Sequence, residues 1–184
     1  GVRQGQWPKP RGISLAGKKV ALVGFGDIGK NVAKRLIAAG MSIIAYDPVA
    51  PDSPELTNVD RASWPTRLDE VDFIVITCAL TPSSFHMLSE EALSKVKPGV
   101  RVVNVGRGPI IDEPALEAAL KDGRVYSAAL DVFEVEPLPA DSYLRQHPRC
   151  IFGSHNASNT VDAVERTSVI AIEKLMTFLG IRNA

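Results

Sequence analysis

Cysteine is scarce in this chain. Two occur in 184 residues, Cys78 and Cys150, and they sit far apart. That excludes a disulfide framework and gives no cysteine-based metal centre. Each is expected to be a buried free thiol, and no metal is expected. Net charge is also missing, since 21 Lys and Arg offset 21 Asp and Glu. A neutral chain argues against nucleic acid or an acidic membrane surface as main partner. No apolar run approaches the ~20 residues of a membrane span, and no signal peptide is visible. A cytoplasmic location is the simplest expectation. Repeats and low-complexity segments are absent as well. What is present is an ordinary globular composition, 45% apolar and 23% charged, in a length that suits one domain with a good core.

The segment Lys18 to Asp47 reads KKVALVGFGDIGKNVAKRLIAAGMSIIAYD. Val20 to Val23 form a short apolar run, as a strand buried on both faces requires. Gly24, Gly26 and Gly29 follow as Gly-x-Gly-x-x-Gly. The first glycine permits a tight turn, the second lets backbone approach a pyrophosphate, and the third brings helix close to sheet. From Ile28, the residues Val32, Ala33, Leu36 and Ile37 recur at helical spacing, and Gly40 ends that helix. Its N-terminus, at Asp27 and Ile28, would aim free N–H groups at phosphates. Ser42 to Tyr46 make a second strand with Asp47 at its tip, about twenty residues on. A carboxylate there accepts hydrogen bonds from ribose hydroxyls and repels a 2′-phosphate, which favours NAD over NADP. For this segment alone, an S-adenosylmethionine-dependent methyltransferase is the nearest rival.

Residues 1–17 read as a connecting arm carrying Trp7, and 18–184 as the domain proper. Residues 48–54 are a proline-rich loop. Strands are expected at Val71–Thr77, Val100–Val105, Tyr126–Leu130 and Cys150–Phe152. Helices are expected at Ser89–Val96, capped by Ser89, and at Glu113–Lys121, capped by Asp112 and closed by Gly123. A long helix is expected over Ser158–Leu179, with Val161, Val164, Val169, Ile172, Leu175 and Met176 as buried positions. Alternating strands and helices imply an α/β, Rossmann-type, doubly wound parallel sheet with helices on both faces. Ligands of such sheets lie beyond the C-terminal strand ends. Gly24, Asp47, Arg107, Asp131 and His155 all follow strands, so they should converge on one crevice.

The late strand tips carry Arg107, Asp131, Glu136 and His155. Hydride transfer at a 2-hydroxy acid needs a cation for the substrate carboxylate, which arginine supplies through bidentate geometry. It needs a proton carrier near neutral pH, which histidine supplies. A carboxylate can orient that histidine and stabilise its charged form. Arg107, His155 and Glu136 can fill these roles. His86 and His147 sit beside no comparable constellation and receive no role.

Four ordered stretches resemble the D-isomer-specific 2-hydroxyacid dehydrogenases. They are GKKVALVGFGDIGKNVAKRL, LTPSSFHMLSEEALSKVKPGVRVVNVGRGPIIDEPAL, SAALDVFEVEPLP and HNAS. The resemblance implies that Arg107 binds substrate carboxylate and carbonyl, that Glu136 pairs with the acid/base His155, and that Asp131 contacts the nicotinamide carboxamide. It implies NAD as cofactor, held by Gly24, Gly26, Asp27, Ile28, Gly29, Asp47, Cys78 and Val105, and a small 2-hydroxy or 2-oxo acid as substrate. It implies a homodimer formed through the cofactor domain. D-3-phosphoglycerate oxidation is the first substrate expectation, with hydroxypyruvate or glyoxylate reduction as close alternatives. The co-repressors called C-terminal-binding proteins share the fold and use NAD to control assembly, so a binding protein is the rival from another class.

Departures from the family pattern are local. Thr77-Cys78-Ala79 stands where His-x-Pro is usual, Gly153-Ser154 where Thr-Pro is frequent, and Asn156 where a small or apolar residue is usual. Asn156 is expected either to tune His155 or to touch substrate. Family members add a substrate domain built from their two chain ends. This chain matches the central part, so an excised domain with very low turnover is expected.

Overall fold

The computed structural model describes residues 2–9, 11–50, 56 and 58–181. Pro51, Asp52, Ser53 and Pro54 of the expected loop lie outside the described residues. Seven strands form one sheet: β1 Lys19–Val23, β2 Ser42–Tyr46, β3 Val59–Arg61, β4 Phe73–Ile76, β5 Val100–Asn104, β6 Val125–Leu130 and β7 Cys150–Phe152. Their order is β3-β2-β1-β4-β5-β6-β7, and every pairing is parallel. Strand order reverses between β1 and β4, which creates the crevice that doubly wound sheets use for ligands.

Helices cover both faces for a reason visible in β1. Val20 and Leu22 pack on one side with Ala33, Ile43 and Ala45, beneath helix α1, Asp27–Ala38. Ala21 and Val23 pack on the other with Ile44, Ile74, Ile76 and Leu116, beneath α2, Glu90–Ser94, and α3, Glu113–Lys121. The alternation of one strand thus feeds two apolar layers, and both are buried.

Helix ends follow side-chain chemistry. Ser89, Asp112 and the Thr160 hydroxyl each accept an N–H from the third residue on, Ala92, Ala115 and Ala163. Gly40 and Gly123 follow their helices with positive φ. The expected starts and stops of α2 and α3 therefore hold to within two residues.

Two expectations are corrected. Strand β3 was not anticipated: it is three residues on the sheet edge, with Val59 half-buried and Asp60 and Arg61 exposed. Such a segment carries no alternation to read. The last helix, α4 Val161–Phe178, exists but buries nothing. Val161, Val164, Val169, Ile172 and Leu175 are exposed and Met176 is half-buried. Their stripe has helical spacing, but no described element packs along it. No helix among the described residues is long and apolar enough to cross a membrane.

Candidate active site

The switch point is built from glycines. Gly24 leaves β1 at φ 95°, and a Cβ there would stand 2.6 Å from the Cys78 backbone N, just past β4. A Cβ on Gly29 would stand 2.2 Å from the Gly24 carbonyl oxygen. Gly26 differs, since nothing lies within 4 Å of its Cβ position. It faces open crevice, where a pyrophosphate needs space. Gly26 is also the N-cap of α1 and supplies no side-chain acceptor, so first-turn N–H groups are left for an anion. Exposed Ile28 adds an apolar wall there, and Asp27 is exposed beside it. The Thr77 hydroxyl donates to the carbonyls of Val23 and Gly24 and ties the β4 tip to the β1 tip. Burial pushes the half-buried Cys78 thiol up, and the Asp47 charge adds to this. Val105 donates to Ile76 O at the β5 tip. These residues fit a dinucleotide.

Gly24→Ala is expected to lower thermal stability and NADH affinity together. Left-handed backbone at a non-glycine residue costs ~1–3 kcal/mol, and the clash with backbone adds to it. Thermal melts with and without NADH read both effects. A variant with unchanged melting and affinity would mean the turn tolerates a methyl group.

Asp47 sits at the β2 tip in a net of N–H donors. Phe25 N donates to one carboxylate oxygen at 2.7 Å, and Val49 N and Ala50 N donate to the other at 3.0 and 2.9 Å. Burial alone would push this carboxyl up, but the three N–H bonds and the Arg61 charge outweigh it and hold it below its ordinary value. Arg61 was missed by sequence reasoning because β3 was. Its guanidinium donates to the carbonyls of Asp47 and Ala50 at 2.8 and 2.9 Å and lies 5.2 Å from the Phe25 ring centre. A cation thus stands beside the expected ribose contact.

Beyond β6 and β7 stands a histidine–glutamate pair. His155 Nδ1 lies 2.9 Å from Glu136 Oε2. The other Glu136 oxygen accepts Phe133 N–H at 3.1 Å. Those two bonds, the imidazole first, hold the Glu136 carboxyl below its ordinary value. An ionised carboxylate only accepts, so Nδ1 carries the proton and Nε2 is left for a reactant. A cavity of about 730 Å³ adjoins the imidazole, bounded by Phe133, Leu138, Arg145 and Phe152.

The backbone of His155 is held at φ 58°, a conformation that survives only where neighbours over-determine it. Asp131 does much of this. Its carbonyl accepts His155 N–H at 2.7 Å, and its carboxylate accepts Asn156 N–H at 3.0 Å and Ala157 N–H at 2.8 Å. Gly153 makes room, because a Cβ there would stand 1.9 Å from an Asp131 oxygen. The Asn156 side chain turns back on the same loop and accepts Ser154 N–H at 3.5 Å.

Arg107 is exposed beyond β5 and donates to its neighbour's carbonyl, Gly106 O, at 2.7 Å. Its turn is fixed by Asn104, fully buried at the strand end. The Asn104 amide donates to Arg107 O at 3.0 Å and accepts Gly106 N–H at 2.9 Å. Asn104 was not anticipated. Its only signal was a polar residue ending the strand VRVVN.

The dismissal of His86 is corrected. His86 Nε2 lies 2.8 Å from Glu134 Oε1, and His86, Asp112 and Glu134 bring ligand-type atoms within 4.8 Å of one another. One oxygen of each carboxylate already accepts protein N–H groups. Spacing could not show this, since His86 and Glu134 are 48 positions apart.

Residues 1–157 match the family described as D-isomer specific 2-hydroxyacid dehydrogenase, NAD binding domain. The chain is 40% identical over 185 residues to hydroxypyruvate reductase of Thermotoga maritima, covering 98% of the chain and 60% of that protein. It is 40% identical to chloroplastic D-3-phosphoglycerate dehydrogenase 2 of Arabidopsis thaliana, covering 91% of the chain and 27% of that protein. The solved D-lactate dehydrogenase of Aquifex aeolicus, complexed with NAD and lactic acid, superposes with a TM-score of 0.85 at 26% identity. That alignment covers 97% of this chain and 59% of the other. The chain therefore spans at most three fifths of the length of these relatives. It belongs to the D-isomer specific 2-hydroxyacid dehydrogenases and carries their NAD-binding domain.

Proposed function

We propose that the protein interconverts a short D-2-hydroxy acid and its 2-oxo acid, with His155 as acid/base, Glu136 as its partner and Arg107 as the carboxylate binder. NAD, when bound, supplies the acceptor or donor of the hydride. The observation that carries the proposal is the His155–Glu136 contact at 2.9 Å, beyond β6 and β7. Nε2 takes the hydroxyl proton in oxidation and returns it in reduction. Glu136 stabilises the imidazolium that forms between. Arg107 uses one of five N–H donors on Gly106 O and keeps a fork for carboxylate and carbonyl.

The adenosine end would rest on Asp47, and the pyrophosphate on Gly26 and the first turn of α1. Relatives named for hydroxypyruvate and phosphoglycerate make hydroxypyruvate, glyoxylate and the 2-oxo acid of phosphoglycerate the substrates to rank. The test is NADH oxidation with each of these and with pyruvate, in a full-length two-domain protein carrying this segment, alongside fluorescence titration with NADH. Saturable turnover of at least one acid is expected. NADH binding with no turnover of any acid would reduce the protein to a cofactor-holding module.

A further inference from the structure

We propose that Glu134, Glu113 and His86 form a clasp that positions the Glu136–His155 pair. The proposal rests on the acid/base role given to His155 above. Its first observation is reciprocal bonding. Glu113 N–H donates to Glu134 Oε1 at 3.1 Å, and Glu134 N–H donates to Glu113 Oε1 at 2.5 Å. Each glutamate thus caps the other's backbone, one at the start of α3 and one in the loop after β6. His86 bonds the same Glu134 oxygen at 2.8 Å. His86 is itself fixed, its N–H donating to Pro109 O, while Leu88 N donates to Ile110 O.

The clasp grips a short loop with two consequential neighbours. One residue before Glu134, Phe133 N–H bonds the Glu136 carboxylate. Two residues after it stands Glu136, on His155. The loop also presses directly on the Arg107 turn. A Cβ on Gly108 would stand 1.8 Å from the Phe133 carbonyl oxygen, so only glycine allows this approach. The clasp therefore closes the loop bearing the acid/base partner onto the turn bearing the carboxylate binder.

Bringing two carboxylates together carries an electrostatic penalty. Burial pushes the Glu113 carboxyl up, and the charges of Glu134 and Glu117 push the same way. An apolar contact could join loop and helix without that penalty. What it could not do is fix the direction of the Glu134 N–H, two residues before Glu136, and that is what the clasp supplies.

The test compares Glu134→Ala with Glu134→Gln in the same full-length protein. Glutamine keeps the length and the accepting oxygen, so it keeps the clasp, while alanine removes the bonds from Glu113 N–H and His86 and leaves only the Glu134 N–H on Glu113. Small displacements of a reacting group are costly, so Glu134→Ala is expected to lower kcat about ten- to hundredfold, with KM for NADH unchanged. The hydrogen-bonded Nδ1 proton of His155, followed by NMR, is expected to weaken or vanish in alanine and return in glutamine. Glu113→Ala, which breaks one of the two reciprocal bonds, is read the same way should Glu134→Ala not fold. Wild-type kcat and an intact Nδ1 proton in the alanine variants would overturn the proposal, as would a glutamine variant no better than alanine. Should the wild-type protein reduce no 2-oxo acid, the catalytic assignment falls, and the Nδ1 proton alone decides the clasp.

Discussion

In a full-length protein carrying this domain, exchanging His155 for alanine is expected to lower turnover of a 2-oxo acid by about 10²–10⁴-fold, the usual contribution of a positioned general acid. NADH affinity should not change, because the imidazole lies past β7 and the cofactor cradle lies at β1 and β2. A loss confined to kcat and shared by kcat/KM marks an interaction made in the transition state. Steady-state kinetics with a fluorescence titration separate the two quantities. An equal loss of NADH affinity would mean that the His155 loop supports the cradle instead of the chemistry.

Acid should act on the same pair with a definite sign. The folded-state Glu136 carboxyl is held below its ordinary value by His155 and Phe133 N–H. Its contribution to stability is therefore fully present above the ordinary carboxylate range, and it is lost as pH falls through the depressed folded value. Glu136→Gln removes that titration, so the acid-side loss of stability should shrink in the variant. Both groups are well exposed, so the change will be small compared with the kinetic effect of His155→Ala.

What the sequence disclosed was mostly local. A strand, a glycine turn, a helix and an acid within thirty residues need only neighbours to be recognised, and β1, α1 and β2 appear as expected. Caps such as Asp112 act over three residues and were equally legible. Parallel topology sets the strand tips along one edge of the sheet, and Glu136 and His155 meet beyond it. What stayed hidden depends on pairs distant in sequence. His86 finds Glu134, Glu113 finds Glu134, and Gly153 yields space to Asp131. No period or spacing encodes those contacts.

The left-handed backbone at His155 was hidden for a related reason. Histidine has no preference for φ 58°, and three N–H bonds to Asp131 hold it there. The resemblance named Asp131 as a cofactor contact, but the fold also makes it the anchor of the His155 turn. Helix α4 misled in the opposite way. Its stripe of Val, Ile and Leu follows helical spacing, and periodicity records which face is apolar without recording what covers it.

Asp47→Ala is expected to weaken NADH by about ten- to hundredfold, because a hydrogen bond to a charged group contributes ~1.5–3 kcal/mol. It should also raise NADPH affinity. The carboxylate that repels a 2′-phosphate disappears, and the Arg61 guanidinium, now bonded to Asp47 O and Ala50 O, remains beside the vacated place with donors to spare. Arg61→Ala in the Asp47→Ala background should remove the NADPH gain and leave the NADH loss. Because Asp47 also binds the N–H groups of Phe25, Val49 and Ala50, alanine could act by loosening the β2 loop. Asp47→Asn distinguishes the causes, since it keeps an accepting oxygen and drops the charge. Fluorescence titration with both cofactors should show asparagine gaining NADPH affinity with a smaller NADH loss. Unchanged preference in both variants would move the ribose contact away from Asp47.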